Sequence, residues 1–495
     1  MSNYTSLLEN KVFTIGVFVF LLFIYICFGL SSLFGVFGEL SYNNFGNLTI
    51  PSLFIFLATC TLAILNEKYY FSLLIFVIVA FPSPIDDIFP SVLITNPSDK
   101  GIAAFPLITR IDIYLLLGII LKLFKLKFKT PAFKLTIPIK LFILLFIIVF
   151  ITNIFKSQDV LDFNLLLAYS YHIRYFILFL FLVQLFDIKK YKNQIVISFV
   201  LCLIFLLIEA YINTKLNGLD RLSSGSLALN TFANITSAIA VYIIYLLKNK
   251  SINKILGVFG LIIAVIIMIG SGTRGAFVSL FLSLLFLNIT ENPKKLFSKL
   301  LKLGIVGVLL ILTYLHFYNK EMIPDRYSHS YLMEKIDIDF SKNTAQKIFD
   351  IERSWETNSL VTRLSLFDSS INMIKENPLT GIGAGRWNRY KNKYSYNYSI
   401  DKVLLDPHND YFALLSQYGI ILGLLFGYVV FFYPYRLIKK INIKKPTPLT
   451  LLYVISVTMG IAAISNAGFF KHQIAGLLLF CLCVSNKMYF ENENV

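Results

Sequence analysis

Charged residues are scarce in this sequence, and the motifs of common catalytic and metal-binding domains are missing. Charge falls on 15% of the 495 residues, whereas soluble domains carry about 25%. All five cysteines lie within apolar runs, so they indicate small buried residues and give no basis for a disulfide framework or a metal centre. We find no HExxH, CxxC or Walker pattern. The sequence therefore argues against a soluble domain, and we expect no metal and no cofactor.

The sequence is rich in long apolar runs. Apolar residues make up 57% of the chain, and the mean hydropathy is +0.71. Many apolar runs are long enough to cross a hydrocarbon core about 30 Å thick. We therefore predict an all-α polytopic membrane protein with about 12–14 transmembrane helices and one large, partly helical periplasmic loop. The predicted runs are 12–36, 50–66, 69–82, 105–124, 137–156, 163–187, 193–213, 228–247, 253–270, 273–290, 301–318, 409–434, 448–467 and 470–486.

The net charge of +17 arises largely from lysines in short connecting loops. A basic chain would suggest nucleic acid, but these lysines follow every second apolar run, as expected when cytoplasmic loops are basic. The alternation predicts cytoplasmic N- and C-termini and a position outside the cytoplasm for residues 319–408; a periplasmic position is what the resemblance described below implies. We divide the chain into about eleven transmembrane helices over 1–318, the periplasmic loop over 319–408 with an amphipathic helix near 360–376, and C-terminal transmembrane helices over 409–495.

Arg274 follows Ser271 and Gly272 at the point where the chain enters a predicted helix from the outer side. Small residues allow a ligand to approach the backbone, and the N–H groups of a helix N-terminus favour anions. A guanidinium at this place suits a phosphate or a pyrophosphate. The alternative is an arginine that reaches the lipid head groups. The residues alone leave both interpretations open.

Two further candidates lie in the C-terminal half of the chain. Arg363 stands near the start of the predicted amphipathic helix, where it is either a ligand-binding charge or a solvated or head-group-facing one. His408 lies between Pro407 and Asn409, before a long apolar helix that Asn409 or Asp410 would cap. A histidine titrates near neutral pH and can act as a general base. The alternative for His408 is a structural role beside the cap.

The glycines of NPLTGIGAGRW, within 381–385, lack the spacing and the βαβ context of a nucleotide loop. We expect them to supply turns and a close approach of the backbone. Polar residues inside other apolar runs are weaker candidates. Arg174 with a neighbouring acid, or Arg110 with Asp112, would form structural ion pairs, and Glu209 alone is poor support for a proton path.

These segments together resemble the O-antigen ligase and O-antigen polymerase superfamily of bacterial membrane glycosyltransferases. The resemblance rests on SGTRG at 271–275, on the stretch from Arg363 through NPLTGIGAGRW, and on PHND-Y-x-x-L-L-x-x-Y-G-I-x-L-G-L-L at 407–425. It covers roughly residues 220–430, and the part from Arg363 to Gly423 is the specific one.

The resemblance implies a reaction and a set of residues. Such enzymes use a glycan carried on undecaprenyl pyrophosphate as donor and pass it to an acceptor sugar hydroxyl on the periplasmic side, with inversion and without a metal. By motif match, Arg274 and Arg363 would bind the pyrophosphate and His408 would help to activate the hydroxyl, so these three are the predicted catalytic residues. The residues that we expect to contact substrate are Arg221, Ser271, Gly383, Arg386 and Asn409.

The resemblance leaves the acceptor open. It is lipid A–core for a ligase, another lipid-linked glycan for a polymerase, and a protein for an O-oligosaccharyltransferase. A different class, a lipid-linked glycan flippase or transporter, would use intramembrane charges such as Arg174 and Glu209 and would catalyse no transfer. The expected partners are the lipid-linked donor, its acceptor and the lipid bilayer of the bacterial inner membrane, and not nucleic acid.

Overall fold

A computed structural model of the protein describes most of the predicted helices. The predicted runs 12–36 and 301–318 lie outside the described residues. The described ranges are 49–80, 91–96, 99–106, 109–126, 134–159, 162, 165–166, 170–216, 218–219, 221–224, 229–291, 359–395, 407–441, 445–464 and 471–492.

The described part of the chain before residue 292 is helical apart from one short strand pair. The strands of this pair, β1 (Ser91–Asn96) and β2 (Asp99–Pro106), are antiparallel, with Ser91 opposite Pro106. The helices are α1 (Thr49–Leu65), α2 (Glu67–Ala80), α3 (Arg110–Lys125), α4 (Ile137–Phe155), α5 (Tyr171–Leu185), α6 (Lys192–Leu216), α7 (Leu229–Lys248), α8 (Lys254–Ser271) and α9 (Arg274–Glu291).

The described part after residue 358 is also helical. It also contains a π-helical turn, Tyr428–Phe432, and a 3-10 turn, Thr450–Leu452. The helices are α10 (Ser359–Glu376), α11 (Trp387–Tyr394), α12 (Asp410–Tyr418), α13 (Ile420–Gly427), α14 (Tyr433–Lys440), α15 (Tyr453–Ala462) and α16 (His472–Asn492).

Seven of the described helical segments are long and apolar enough to cross a membrane. They comprise α4, α6 with the turn before it, α7, α8, α9, the segment from α13 to α14, and α16, and shorter apolar helices lie beside them. The central helices α7 and α16 are mostly buried, whereas only 28% of α4 and 22% of α9 is buried, which suits contact with lipid. The prediction of an all-α polytopic membrane protein is confirmed, and the total of 12–14 helices stays a prediction.

Lysine-bearing helix ends gather at one end of the bundle, which we call the lysine-rich end. Ser251 donates a hydrogen bond to the carbonyl of Pro446 (3.1 Å) and joins two of the predicted lysine-rich loops there. The ion pairs at this end are Lys122–Glu67 (3.0 Å), Lys189–Glu491 (3.1 Å) and Lys248–Glu291 (2.5 Å). The alternation in the sequence therefore corresponds to two ends of one bundle.

The prediction of a helix from residue 105 is wrong at its start. The chain through Pro106 belongs to β2, and α3 begins at Arg110. Thr109 caps α3 in a capping box: its N–H donates to the Asp112 carboxylate (2.8 Å), and the N–H of Asp112 donates to the Thr109 hydroxyl (3.4 Å). Hydropathy does not detect this boundary, because the strand and the helix are both apolar.

The same Asp112 explains one of the charged residues in the apolar runs. Arg174, near the start of α5, donates to both oxygens of the Asp112 carboxylate (2.6 and 2.9 Å). Asp112 is buried, and a bidentate pair satisfies a buried carboxylate well. The predicted structural ion pair is confirmed, with Asp112 as the acid. Glu209 is also fully buried and accepts a hydrogen bond from Ser224 (2.6 Å).

Candidate active site

A turn formed by residues 378–386, which we call the glycine turn, is hydrogen-bonded to the end of α12. The N–H groups of Ile382 and Gly383 donate to the carbonyls of Ser416 (2.9 Å) and Gln417 (3.1 Å). The N–H of Gly385 donates to the side-chain oxygen of Gln417 (2.6 Å). The last carbonyls of a helix have no partner within the helix. The glycine turn supplies these partners and so fixes itself to α12.

Two glycines allow the backbones to meet at this junction. Gly381 has φ +64° and Gly419 has φ +80°, values that favour glycine. A Cβ atom at Gly419 would lie 2.3 Å from the carbonyl oxygen of Leu379, and one at Gly381 would lie 2.4 Å from that of Gln417. The expectation of turns and a close backbone approach is confirmed. The prediction of one long helix over 409–434 is wrong, because Gly419 interrupts it where the glycine turn crosses.

The glycine turn also forms one unit with α10 and α11. The indole N–H of Trp387 donates to the Ser370 hydroxyl (3.0 Å), and the Asn372 amide donates to the carbonyl of Tyr394 (2.9 Å). Trp387 is fully buried. A small apolar core surrounds it, formed by Leu366, Met373, Ile382, Trp387 and Tyr394. Helix α10 thus lies where the sequence predicts an amphipathic helix, and it is held against the glycine turn.

Helices α10 and α12 run in the same direction. The rings of Phe367 and Phe412 contact each other with centroids 4.9 Å apart, and further along the N–H of Ile420 donates to the carbonyl of Pro378 (2.7 Å). Arg363 and His408 each precede the aromatic contact by four residues, about one helical turn. Their backbone positions therefore lie at the same end of this helix pair.

His408 stands in a turn whose geometry is held from both sides. Its φ of +53° is uncommon for a residue other than glycine. The side chain of Asn409 accepts a hydrogen bond from the N–H of Phe412 (3.0 Å) and donates to the carbonyl of Ile464 (2.7 Å). The N–H of Asp410 donates to the carbonyl of Ala463 (3.0 Å). Asn409 is confirmed as the cap of α12, and the turn is docked on the segment that follows α15.

Arg274 is the first residue of α9 and is exposed. Gly272, with φ +62°, ends α8 just before it, and the Ser271 hydroxyl donates to the carbonyl of Met268 (2.9 Å). Helix α9 packs along α15, and Glu291 at its other end lies at the lysine-rich end. Arg274 therefore lies at the opposite end of the bundle, the end at which α15 meets the His408 turn.

The loop that carries Arg221 reaches the same region as Arg274. The N–H of Leu222 donates to the carbonyl of Gly270 (2.8 Å), in the last turn of α8. The carbonyl of Arg221 accepts a hydrogen bond from the Thr214 hydroxyl (3.2 Å), which anchors the loop to α6. Arg221 thus lies beside the α8–α9 junction, in the same corner of the bundle as Arg274.

A comparison with known protein families finds a match within this part of the chain. Residues 259–427, about a third of the chain, match the family model described as O-antigen ligase. This match supports membership of the O-antigen ligase and polymerase superfamily. The matched range contains Arg274, Arg363, the glycine turn and His408. Membership implies glycosyl transfer of the O-antigen ligase or polymerase type, with a lipid-linked glycan and an acceptor as substrates. No curated protein matches the chain.

Within the matched range, Arg386 has a structural environment. It is 2% exposed, and its guanidinium donates to the carbonyl of Asn153 (3.1 Å) and to the Ser157 hydroxyl. Its side chain also packs closely on Gly383, since a Cβ atom at Gly383 would lie 3.0 Å from the guanidinium of Arg386. The substrate-binding roles expected for Arg221, Ser271, Gly383, Arg386 and Asn409 stay predictions.

Sequence analysis missed Asp162, Arg389 and Tyr390, which surround Arg386. A weak signal was available: Asp159 and Asp162 are three residues apart, as are Arg386 and Arg389, and such spacing places like charges on one face of a helical turn. Nothing local indicates that the two pairs meet. In the described ranges, no group of three His, Cys, Asp or Glu residues is arranged to hold a metal ion.

Proposed function

We propose that the protein transfers a glycan from undecaprenyl pyrophosphate to an acceptor sugar hydroxyl at the periplasmic surface of the inner membrane. The observation that carries the proposal is the common location of three residues within the matched range. Arg274, Arg363 and His408 come from separate parts of the sequence, and contacts through α12 and α15 bring their backbone positions to the end of the bundle opposite the lysine-rich end.

The donor side of the reaction requires positive charge. When the bond between the anomeric carbon and the pyrophosphate oxygen breaks, its electron pair stays on the leaving pyrophosphate. Guanidinium groups bind phosphate oxygens with two hydrogen bonds each and stabilise the developing charge. Arg274, exposed at the N-terminus of α9, suits this role, and Arg363 on α10 would add a second positive charge.

The acceptor side requires a base. A sugar hydroxyl is a poor nucleophile, and a neutral imidazole would take its proton as the new bond to the anomeric carbon forms. Attack on the face opposite the leaving group inverts that carbon. We assign this role to His408, whose left-handed backbone conformation at a docked turn is the kind of strain that clusters at functional sites.

The two ends of the bundle support the proposed orientation. Lysine-rich loops stay in the cytoplasm, so the end with the glycine turn faces the periplasm. Leu379 in the glycine turn is 68% exposed. In a variant whose native cysteines are replaced, a membrane-impermeant thiol reagent should label Leu379→Cys from the periplasm and Lys439→Cys only after the membrane is opened. The reverse pattern would overturn the orientation.

Arg274→Ala should lower the transfer rate by about 100- to 1,000-fold, since removal of one preorganised stabilising group in a site costs about that much. Arg274→Lys should recover part of the rate, because it restores the charge without the two-pronged hydrogen bonding. Arg436→Ala is the matched control, an arginine near the lysine-rich end that contacts Tyr428. Transfer would be measured with equal amounts of inserted protein. Equal rates for Arg274→Ala and Arg436→Ala would refute the assigned role.

The acceptor is best identified in a deletion strain. A ligase passes finished chains to lipid A–core, so its loss should remove all attached polysaccharide while donor chains accumulate. A polymerase extends one lipid-linked glycan with another, so its loss should leave single repeat units on the core. Unchanged lipopolysaccharide together with unglycosylated protein would instead indicate a protein O-oligosaccharyltransferase. An unchanged set of all three glycoconjugates would contradict glycan transfer.

A further inference from the structure

The Asp162 carboxylate is the centre of a charged cluster on the α4 side of the glycine turn. Asp162 is fully buried. One of its oxygens accepts a hydrogen bond from Arg389 (2.8 Å) and lies 3.9 Å from Nε of Arg386, and the other accepts from the Tyr390 hydroxyl (2.7 Å). The three residues 386, 389 and 390 are thus all held by one carboxylate, and we call these four residues the clamp.

The clamp connects the glycine turn to a membrane-embedded helix. The guanidinium of Arg386 donates to Asn153 and Ser157 at the end of α4. It also donates to the carbonyls of Ile382 (3.3 Å) and Asp162 (3.4 Å). Asn153 also donates to the carbonyl of Thr380 (3.1 Å). The glycine turn therefore lies between two partners, α4 on one side and the end of α12 on the other.

Charge balance makes Asp162 the essential member of the clamp. Burial lowers the pKa of the Arg386 guanidinium, and the negative charge of Asp162 opposes that shift. Burial and the hydrogen bond to Asp162 raise the pKa of Tyr390 to about 12, so its hydroxyl stays protonated and donates at neutral pH. Removing one partner of a buried ion pair leaves an uncompensated charge. Loss of the Asp162 charge would leave the buried guanidinium of Arg386 without this compensating negative charge.

We propose that Asp162 is a positioning residue for glycan transfer, which fixes the glycine turn on α4 and so sets the location of the α10–α12 pair that carries Arg363 and His408. The inference rests on the proposed function. The path is continuous: Asp162 holds Arg386, the glycine turn is bonded to Gln417 at the end of α12, and Trp387 beside it is bonded to α10. Asp162 acts through these contacts and not on the substrate.

Asp162→Asn keeps the shape of the side chain and removes its charge. A displacement of about 1 Å at a reacting group costs about 100-fold in rate. We therefore expect kcat to fall about 100-fold and KM for the donor to rise by a smaller factor, because Arg274 binds the donor independently of the clamp even where Arg363 is displaced. Asp159→Asn is the matched control, since Asp159 is 46% exposed and pairs with Arg389 at the rim of the cluster. Its rate should change little.

A second measurement tests the clamp without any reaction. A spin label at Leu379→Cys, in a background without the native cysteines, reports the mobility of the glycine turn. Asp162→Asn should mobilise the label, and Tyr390→Phe, which removes only one hydrogen bond to Asp162, should mobilise it less. Asp159→Asn should leave the spectrum unchanged.

The outcomes separate the clamp from the proposed function. A spectrum of Asp162→Asn identical to wild type overturns the clamp, whether or not the chain transfers glycan. A mobile label with an unchanged kcat overturns the positioning role. Equal losses of kcat and donor binding, with Tyr390→Phe behaving in the same way, would show a merely structural residue. Absence of transfer by the wild-type chain would instead refute the proposed function, while the label still reports on the clamp.

Discussion

His408→Asn should lower the rate of glycan transfer by about 100- to 10,000-fold, the contribution typical of one positioned general base. Asparagine is the replacement of choice because it tolerates positive φ better than most residues, and His408 has φ +53°. The variant therefore removes the imidazole and keeps the backbone of the turn. Transfer would be measured at saturating donor and acceptor with purified protein.

The control for His408→Asn checks that the turn keeps its fold in the variant. Asn409 must still cap α12 and bind the carbonyl of Ile464, so thermal unfolding of the variant should match wild type within a few degrees. His408→Ala provides a comparison in which the backbone is also strained. A His408→Asn protein that is folded and transfers glycan at the wild-type rate would exclude His408 as the base.

Gly419→Ala should disrupt the candidate active site and reduce transfer by at least about 100-fold, because the reacting groups would be displaced by more than about 1 Å. Gly419 has φ +80° and ψ 170°, a region that is essentially restricted to glycine and costs other residues about 1–3 kcal/mol. The new Cβ atom would also lie 2.3 Å from the Leu379 carbonyl oxygen. The glycine turn must therefore move away from α12 and lose its hydrogen bonds to Ser416 and Gln417.

The matched control for Gly419→Ala is Gly427→Ala, eight positions later. Gly427 is the last residue of α13, and nothing lies within 3.6 Å of a Cβ atom built there. Alanine has the higher helix propensity, so this change should be neutral or slightly stabilising. Limited proteolysis of the glycine turn and the transfer rate would be compared for both variants. Equal behaviour of the two would contradict the role given to the crossing at Gly419.

Hydropathy and loop charge predict most of the fold. Predicted runs such as 137–156 and 253–270 coincide with α4 and α8 within a residue or two, because spanning helices need long apolar stretches. The breaks are not predicted. The predicted run from 409 contains no proline at this point and becomes more apolar after Gly419, so hydropathy favours one continuous helix, but another segment crosses the chain at Gly419. That contact is tertiary and leaves no local signal.

The candidate site, like the fold, is only partly predictable from the sequence. The common end of Arg274, Arg363 and His408 could be predicted from the topology, since loop charge alone places them on one side of the membrane. The surroundings of Arg386 could not, because its partners Asn153 and Asp162 lie more than 200 residues earlier in the chain. Buried charge networks of this kind depend on which segments meet, and this follows only from the packed structure.

The proposed reaction breaks a glycan–pyrophosphate bond and forms a new glycosidic bond. The most direct measurement is a reconstituted reaction in proteoliposomes with a polyprenyl-pyrophosphate-linked glycan and lipid A–core. Mass spectrometry would quantify both the transferred glycan and the released polyprenyl pyrophosphate. We predict equal amounts of the two with wild-type protein, and neither above background with His408→Asn. Movement of the intact donor across the bilayer without release of polyprenyl pyrophosphate would refute glycan transfer and indicate a flippase.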